Sequence, residues 1–383
     1  MMPFGVGRRV VIEAFGATPL EALDEQLRLE DQPAPDTASL APDDVLVGVR
    51  SAAVGWVDLL MSSGQYQHMA APPYCPGLEY SGEVLWAGSA ATWSPGDRVL
   101  ADGLLTGPRS LGEHSQWGGF ASYAVAPSRA LRPLPESWSY DQGACLLGNY
   151  ETAYHCLVAR GRLRAGETVL IHGASGSTGL AAVHVAKLQG ARVIATGRDP
   201  EKLARVAAQG ADHVVAIAPS QSEHADGASP PSSGGPLRDQ IKALTDGAGV
   251  DVVYDGVGGS ISEQSLRCVR FGARYLIVGW AATPFVAKGR GQRGAPRANR
   301  LPTNLIMMKG LDVLGCPTAI TTHRDPSLRV ARLAQIDRWI DEGRLSPFVE
   351  QAYELEDIDR AMRAKWRSAH VGGCVVRPPD SGL

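Results

Sequence analysis

Aromatic residues are scarce, at 6% of the 383-residue chain. Neither sign of charge dominates: 37 Lys and Arg against 40 Asp and Glu leave a net charge of −3. This balance excludes a strongly basic nucleic-acid binder and an acidic disordered tail. No stretch approaches the ~20 apolar residues a membrane helix needs. Residues 1–20 hold no apolar run of signal-peptide length, so a cytoplasmic location is expected. The six cysteines, at positions 75, 145, 156, 268, 316 and 374, form no CxxC pair and are widely spaced. Such scattered thiols in a chain of this length fit a reduced, intracellular protein. A mass of 40.5 kDa allows two or three domains, each with a core that needs no disulfide or metal staple. What is plentiful is glycine, with 44 residues, which predicts many tight turns and close backbone approaches.

Three zones follow one another. Residues 1–145 contain short β-like runs at 45–50, 82–87, 97–101 and 121–126, split by Gly and Pro, and predict a β-rich, barrel-like unit. From about 147 to 320 the pattern becomes alternating: apolar runs at 168–172, 192–196, 213–217, 251–255, 273–279 and 311–315, with a small-residue helix at 180–189. That alternation predicts a parallel sheet covered by helices. The last zone has a helix at 327–342 and short strands ending at 371–377. Two stretches interrupt the series. Residues 219–236, rich in Ser, Pro and Gly, have the composition of a surface insertion. Residues 281–300 carry Lys288, Arg290, Arg293, Arg297 and Arg300, and form either a solvated loop or a cationic lid over an anionic ligand.

The sharpest chemical signal is VLIHGASGSTGL at 169–180, in which a strand-like run meets Gly173, Gly176 and Gly179 and then a helix. Gly173 and Gly176 permit a tight turn, and Gly179 permits close packing of helix on sheet. The N–H groups of Ser177, Thr178 and Gly179 are then placed to face a pyrophosphate at the helix N-terminus. The next strand separates cofactors. NAD-binding units carry an acidic residue at its end to accept from the ribose 2′-OH. Here that end reads Thr196, Gly197, Arg198, with Lys202 one turn on. A small residue followed by cations suits a 2′-phosphate. Asp199 is the competing carboxylate, but Asp199-Pro200-Glu201 has the form of an N-cap followed by Pro at N1. NADPH is therefore expected over NADH; the alternative is that Arg198 and Lys202 are merely exposed.

Beyond the turn, the chain carries DVLV at 44–47, VDL at 57–59, Pro76-Gly77 with Glu79, GDRV at 96–99, GGFA at 118–121, KLQGAR at 187–192, Gly210-Ala-Asp212, and VVYD at 252–255 with Gly258-Gly259. In these it resembles the medium-chain dehydrogenase/reductase superfamily, and within it the zinc-free quinone oxidoreductase branch. The resemblance implies an α/β protein with a GroES-like catalytic domain from 1–146 and 320–383. A Rossmann domain, a doubly wound parallel sheet, is then inserted at 147–319. It also implies substrate binding at the carboxyl ends of the strands, in a cleft between the two domains, and a homodimer paired along the strand at 311–315.

Zinc-dependent relatives place Cys, His and Cys where this chain has Gly55, Leu78 and Gly148, and residues 100–117 lack the cysteines of a structural zinc loop. No catalytic metal is therefore expected. The histidines at 68, 114, 155, 172 and 184 are expected to be exposed or satisfied in the core. Without a Lewis acid, hydride transfer to a quinone or enone is more accessible than alcohol oxidation. The DLLMSSGQY segment at 58–66 resembles the one that carries the catalytic tyrosine of zinc-free enoyl-thioester reductases. It makes Tyr66 the candidate proton donor, the alternative being a pocket wall. Trp56 and Trp280 are candidate flat walls or ordinary packing residues.

By resemblance Thr152 meets the nicotinamide end, and Val257 and Gly279 line its ribose. Gly55 stands where an Asn is usual and Gly373 where a Lys is common. The expected function is an NADPH-dependent, metal-free reductase of a small quinone or activated alkene. Enoyl-thioester reduction is the first alternative, and a catalytically silent NADPH-binding regulator the second. Neither nucleic acid nor a membrane is expected as a partner.

Overall fold

The computed structural model describes residues 4–217, 236–282 and 299–379. The insertion expected at 219–236 lies outside the described residues except for Pro236, and so do Lys288, Arg290, Arg293 and Arg297 of the basic stretch. The strands are β1 (Gly7–Ile12), β2 (Leu27–Gln32), β3 (Asp44–Ala53), β4 (Tyr80–Ala87), β5 (Arg98–Ala101), β6 (Tyr123–Pro127) and β7 (Leu131–Pro133). They continue with β8 (Thr168–Ile171), β9 (Arg192–Gly197), β10 (His213–Ala216), β11 (Val250–Asp255), β12 (Val269–Ile277), β13 (Asp312–Gly315), β14 (Val349–Glu354) and β15 (Gly373–Arg377). They fall into two compact units, one taking both chain ends up to Gly148 and from Ser346, the other running from Asn149 to Leu345.

In the first unit β14-β15-β3-β4-β5-β7 form one sheet, with β6 added on β3, and β1 pairs with β2 beside it. Apart from the parallel pair β14–β15, the ladders are antiparallel. β3 is the hub, since it pairs with β15, β4 and β6. Its Val45, Val47 and Val49 pack with Val84, Val99 and Phe120 in the core. The β1–β2 hairpin was not foreseen, because its strands RRVVI and LRLED mix charged and apolar residues without the clean alternation that marks a half-buried strand.

In the second unit every pairing is parallel and the order is β10-β9-β8-β11-β12-β13. This is the doubly wound order of a Rossmann sheet, which reverses direction between its first and fourth strands, here β8 and β11. The two central strands are buried almost throughout, as helices on both faces require. Leu170, Ile194, Val253 and Tyr275 from four adjacent strands share one core.

The chain returns to the first unit at Ser346, later than the expected position 320. The reason is electrostatic. The helix Leu328–Asp341 carries Arg329 and Arg332, which are 7% and 3% exposed, and both bond the buried carboxylate of Glu151. The Nε atoms of Arg329 and Arg332 each donate to Glu151 Oε2 at 2.8 Å, and Arg332 also donates to Thr322 Oγ1 at 2.8 Å. Sequence periodicity cannot report a triad whose members lie 178 and 181 residues apart. Glu151→Gln leaves two buried guanidiniums sharing a neutral partner. We expect a loss of about 3–5 kcal/mol in urea unfolding of the whole chain, with Arg332→Lys less costly than the Glu151 change.

Candidate active site

The glycine turn follows β8. Gly173 has φ +65, a left-handed value that L side chains rarely adopt. Gly176 caps the helix Ser177–Leu188, and its N–H donates to Gly173 O at 3.0 Å. The decisive contact is at Gly179, where a β-carbon would lie 2.2 Å from Gly173 O. Any other residue there would push the helix off the turn. The helix begins at Ser177, one turn earlier than the apolar pattern indicated, because small polar residues fill its first turn. The Thr178 hydroxyl donates to Asn149 Oδ1 at 3.0 Å.

Two buried polar groups hold this region. His172 Nδ1 and Nε2 pair with Thr196 Oγ1 at 2.7 Å and Ser265 Oγ at 2.6 Å, which joins the end of β8 to β9 and to the helix Ser260–Ser265. Burial holds His172 below the ordinary imidazole value, so it is a neutral linker. Asp255, at the end of β11, accepts from Val257 N and Gly258 N at 2.9 Å each and from the hydroxyls of Ser262 and Tyr275 at 2.5 Å each. Four donors on one buried carboxylate fix the loop that brings Val257 to the turn. A β-carbon on Gly173 would sit 3.0 Å from Val257 Cγ2. Gly279 lies at the same end of the sheet, its N–H on Asp255 O at 3.2 Å. The turn thus sits at the carboxyl ends of β8 and β11, where the strand order reverses. A β-carbon at Gly256 would meet nothing within 4 Å, so the backbone there is open to a ligand.

At the end of β9, Gly197 is followed by exposed Arg198 and half-buried Lys202. The Asp199 carboxylate caps the next helix, accepting from Glu201 N at 2.9 Å and Lys202 N at 3.3 Å. Thr152, half-buried, is on the helix Leu147–Tyr154.

The first unit holds the other candidate residues. Asp58, 2% exposed, accepts from Gly55 N at 2.9 Å, Gly77 N at 3.1 Å and Leu78 N at 3.2 Å. Burial pushes its carboxyl up to about 6, against these backbone donors and Arg109. Tyr66 is half-buried, its ring edge-on to His68. Arg109, whose side chain is only 12% exposed, lies near enough to Tyr66 to interact with it electrostatically. Arg109 Nε donates to Gly103 O at 3.4 Å, and an Nη lies 4.0 Å from Glu79 Oε1, which also accepts from Gly148 N. Sequence reasoning missed Arg109 because it lies in a loop, far along the chain from Tyr66, with no periodic pattern around it. Trp56 stacks on Trp366 with ring centroids 5.2 Å apart, so one of its faces is already covered.

Residues 41–136 match the alcohol dehydrogenase GroES-like domain, and residues 177–319 match the zinc-binding dehydrogenase family. A quinone oxidoreductase-like protein 2 homolog from Nematostella vectensis is 29% identical over 367 residues, covering 95% of this chain and 89% of its own. The human quinone oxidoreductase is 27% identical over 329 residues, covering 85% of this chain and 87% of its own. The quinone oxidoreductase of Thermus thermophilus, solved alone and with NADPH, superposes with a TM-score of 0.71 at 27% identity, over 97% of this chain and 99% of that one.

The chain belongs to the medium-chain dehydrogenase/reductase superfamily, in its quinone oxidoreductase branch. It is an oxidoreductase that uses a nicotinamide cofactor on a small-molecule substrate. Within this family one local departure has a physical reason. At Gly373 a β-carbon would lie 2.8 Å from Cys145 Sγ, so no lysine fits there. Another lysine, Lys365, is buried in the same unit with Asp58, Cys145 and Cys374 as its charged or titratable neighbours, and burial lowers its amine below the ordinary value. Among the described residues no group of three or more His, Cys, Asp or Glu is arranged to hold a metal ion, and no helix is long and apolar enough to cross a membrane.

Asp58 also sets a pH signature. Its folded-state value, about 6, lies above the unfolded 3.8, so the folded chain holds the proton more tightly. That contribution is complete below pH 3.8 and is lost as pH rises through 6. Relative to Asp58→Asn, the wild type should lose about 2 kcal/mol of unfolding free energy between pH 4 and pH 7. Urea titrations of both proteins at the two pH values measure it, and parallel pH dependences would refute it.

Proposed function

We propose that this protein is an NADPH-dependent reductase of quinones and conjugated enones that works without a metal ion, with Tyr66 as proton donor. The observation that carries the cofactor choice is the capping role of Asp199. The one carboxylate beside the end of β9 is held by the N–H groups of Glu201 and Lys202, while Arg198 is exposed beside it. A ribose 2′-phosphate would meet Arg198 and Lys202 across Gly197, and Lys202 lies 3.7 Å from Asp199, within reach of an added anion. The Thermus thermophilus relative, solved with NADPH, supports the same choice.

The remaining residues divide the cofactor between them. Gly173, Gly176 and Gly179 bring backbone close to the pyrophosphate, and the first-turn amides of Ser177, Thr178 and Gly179 face it. Val257 and Gly279 line the nicotinamide ribose, and Thr152 meets the nicotinamide end. When bound, the reduced cofactor supplies the hydride. Tyr66 supplies the proton to the reduced acceptor. The positions used by zinc-dependent relatives hold Gly55, Leu78 and Gly148, none of which can ligate through a side chain.

The unit built from both chain ends is the catalytic domain, and the unit of β8 to β13 is the dinucleotide-binding domain. A second copy pairs along β13, the outer strand of its sheet. Phe271, Met307 and Met308, 79%, 74% and 66% exposed, are the apolar residues that such pairing would cover. None of the six cysteines is in a disulfide and all are buried, as suits the reducing cytoplasm.

Two measurements test the reading. Following NADPH absorbance with 9,10-phenanthrenequinone, 4-phenyl-3-buten-2-one, crotonyl-CoA and aldehydes should give turnover with the quinone and the enone. Tyr66→Phe should lower enone kcat about 10²–10⁴-fold. Turnover confined to crotonyl-CoA would make the protein a thioester reductase, and no turnover with any acceptor a silent binder. Arg198→Ala should weaken NADPH binding at least tenfold and leave NADH within twofold in fluorescence titration. Equal losses would remove Arg198 from the phosphate site.

A further inference from the structure

The pair Gly258-Gly259, conspicuous in the sequence, has no part in the cofactor placement above. Both residues have left-handed φ values, +75 and +69. Two successive glycines are the most pliable point of the loop after β11, because glycine has the most backbone freedom to lose on ordering. That loop carries Val257, whose Cγ2 would lie 3.0 Å from a β-carbon on Gly173 of the phosphate turn. Whatever holds the glycine pair therefore helps to hold Val257.

Asp255 holds the loop from inside, but its grip on this backbone ends at Gly258 N. From outside, the chain after β12 runs back along the loop in a ladder of backbone bonds. Val278 N donates to Asp255 O at 2.9 Å, Ala281 N to Gly256 O at 3.2 Å and Ala282 N to Val257 O at 2.8 Å. Among the described residues the ladder ends there. The N–H of Gly259 donates instead to a side chain, Asn299 Oδ1, at 2.7 Å, from a residue 40 positions further along the chain. The same oxygen would lie 2.7 Å from a β-carbon on Gly258, so it rests directly on the glycine pair.

We propose that Asn299 is a positioning residue for the reduced nicotinamide: its side-chain oxygen closes the clasp formed by the loops after β11 and β12, and so holds Val257 at the cofactor. This rests on the reductase reading above, in which Val257 and Gly279 line the nicotinamide ribose. Asp255 ties both of those residues, Val257 through its carboxylate and Gly279 through its own carbonyl. Asn299 acts one step further out, by stopping Gly258-Gly259 from swinging the loop away from Gly173. Its chemistry is that of an acceptor. An amide or carboxylate oxygen at 299 can meet the Gly259 N–H, and a methyl group cannot. Losing that oxygen frees the loop without opening the core, since Asn299 is exposed and Asp255 stays in place. The nicotinamide end of the cofactor feels the change. The adenosine end does not, because its phosphates meet the glycine turn, Arg198 and Lys202 at the ends of β8 and β9.

The experiment uses the full chain and two ligands, NADPH and adenosine 2′,5′-bisphosphate, which has the adenosine end and no nicotinamide. In calorimetry Asn299→Ala should weaken NADPH binding about fivefold, the size of one net hydrogen bond, and leave the bisphosphate within about twofold. Single-turnover oxidation of NADPH by 9,10-phenanthrenequinone should slow about tenfold, because the hydride donor is less well placed. Amide hydrogen exchange in the peptide 258–262 should speed up about fivefold. Asn299→Asp, which keeps an acceptor oxygen, should stay within about twofold of wild type in every measurement.

NADPH affinity and hydride transfer unchanged in Asn299→Ala would overturn the proposal. So would equal losses in the Ala and Asp variants, or equal weakening of NADPH and the bisphosphate. The reductase reading fails separately. A wild type that does not reduce the quinone sinks its chemistry, and the two binding measurements still decide the role of Asn299. A Val257→Trp variant that binds NADPH like the wild type sinks its cofactor placement, and with it the positioning role, while hydrogen exchange still decides whether Asn299 closes the clasp.

Discussion

The approach of Gly179 to the carbonyl of Gly173 governs the sheet-bearing unit. A side chain at 179 would collide with backbone at 2.2 Å, so the helix can seat its first turn against the end of β8 only because nothing is there. That seating aims the first-turn amides outward at the place where the strand order reverses. Two further devices hold the place open. His172 clamps the end of β8 to β9 and to the helix beyond β11, and it does so as a neutral imidazole because burial disfavours its charge. Asp255 gathers four donors and thereby shapes the loop after β11. Here the glycines supply the absence of atoms, and a histidine and an aspartate hold the backbone where that absence is useful.

The unit drawn from both chain ends works by a different principle, the removal of charged side chains from water. Asp58 is desolvated, yet three backbone N–H groups converge on it, and the outcome of that contest is a carboxyl raised toward 6. Lys365 is shifted the opposite way by the same cause. Arg109 keeps its proton under all conditions, because a guanidinium does not give it up. Of the three buried charges in this neighbourhood, two can be discharged by a change of protonation and one cannot.

The legibility of the fold in the sequence follows how local each determinant is. The glycine turn, the alternating strands after it and the Asp199 cap are encoded by neighbours within a few residues, and the structure contains all of them where the pattern put them, to within a turn. The β1–β2 hairpin was illegible because its faces are mixed in polarity. The return point to the first unit was misplaced because it depends on Arg329 and Arg332 finding Glu151 across most of the inserted sheet. The candidate site divides in the same way. Tyr66 announces itself through the segment that precedes it, whereas Arg109 belongs to a loop whose composition carries no periodicity. Only folding brings its charge beside Glu79 and into the surroundings of Asp58.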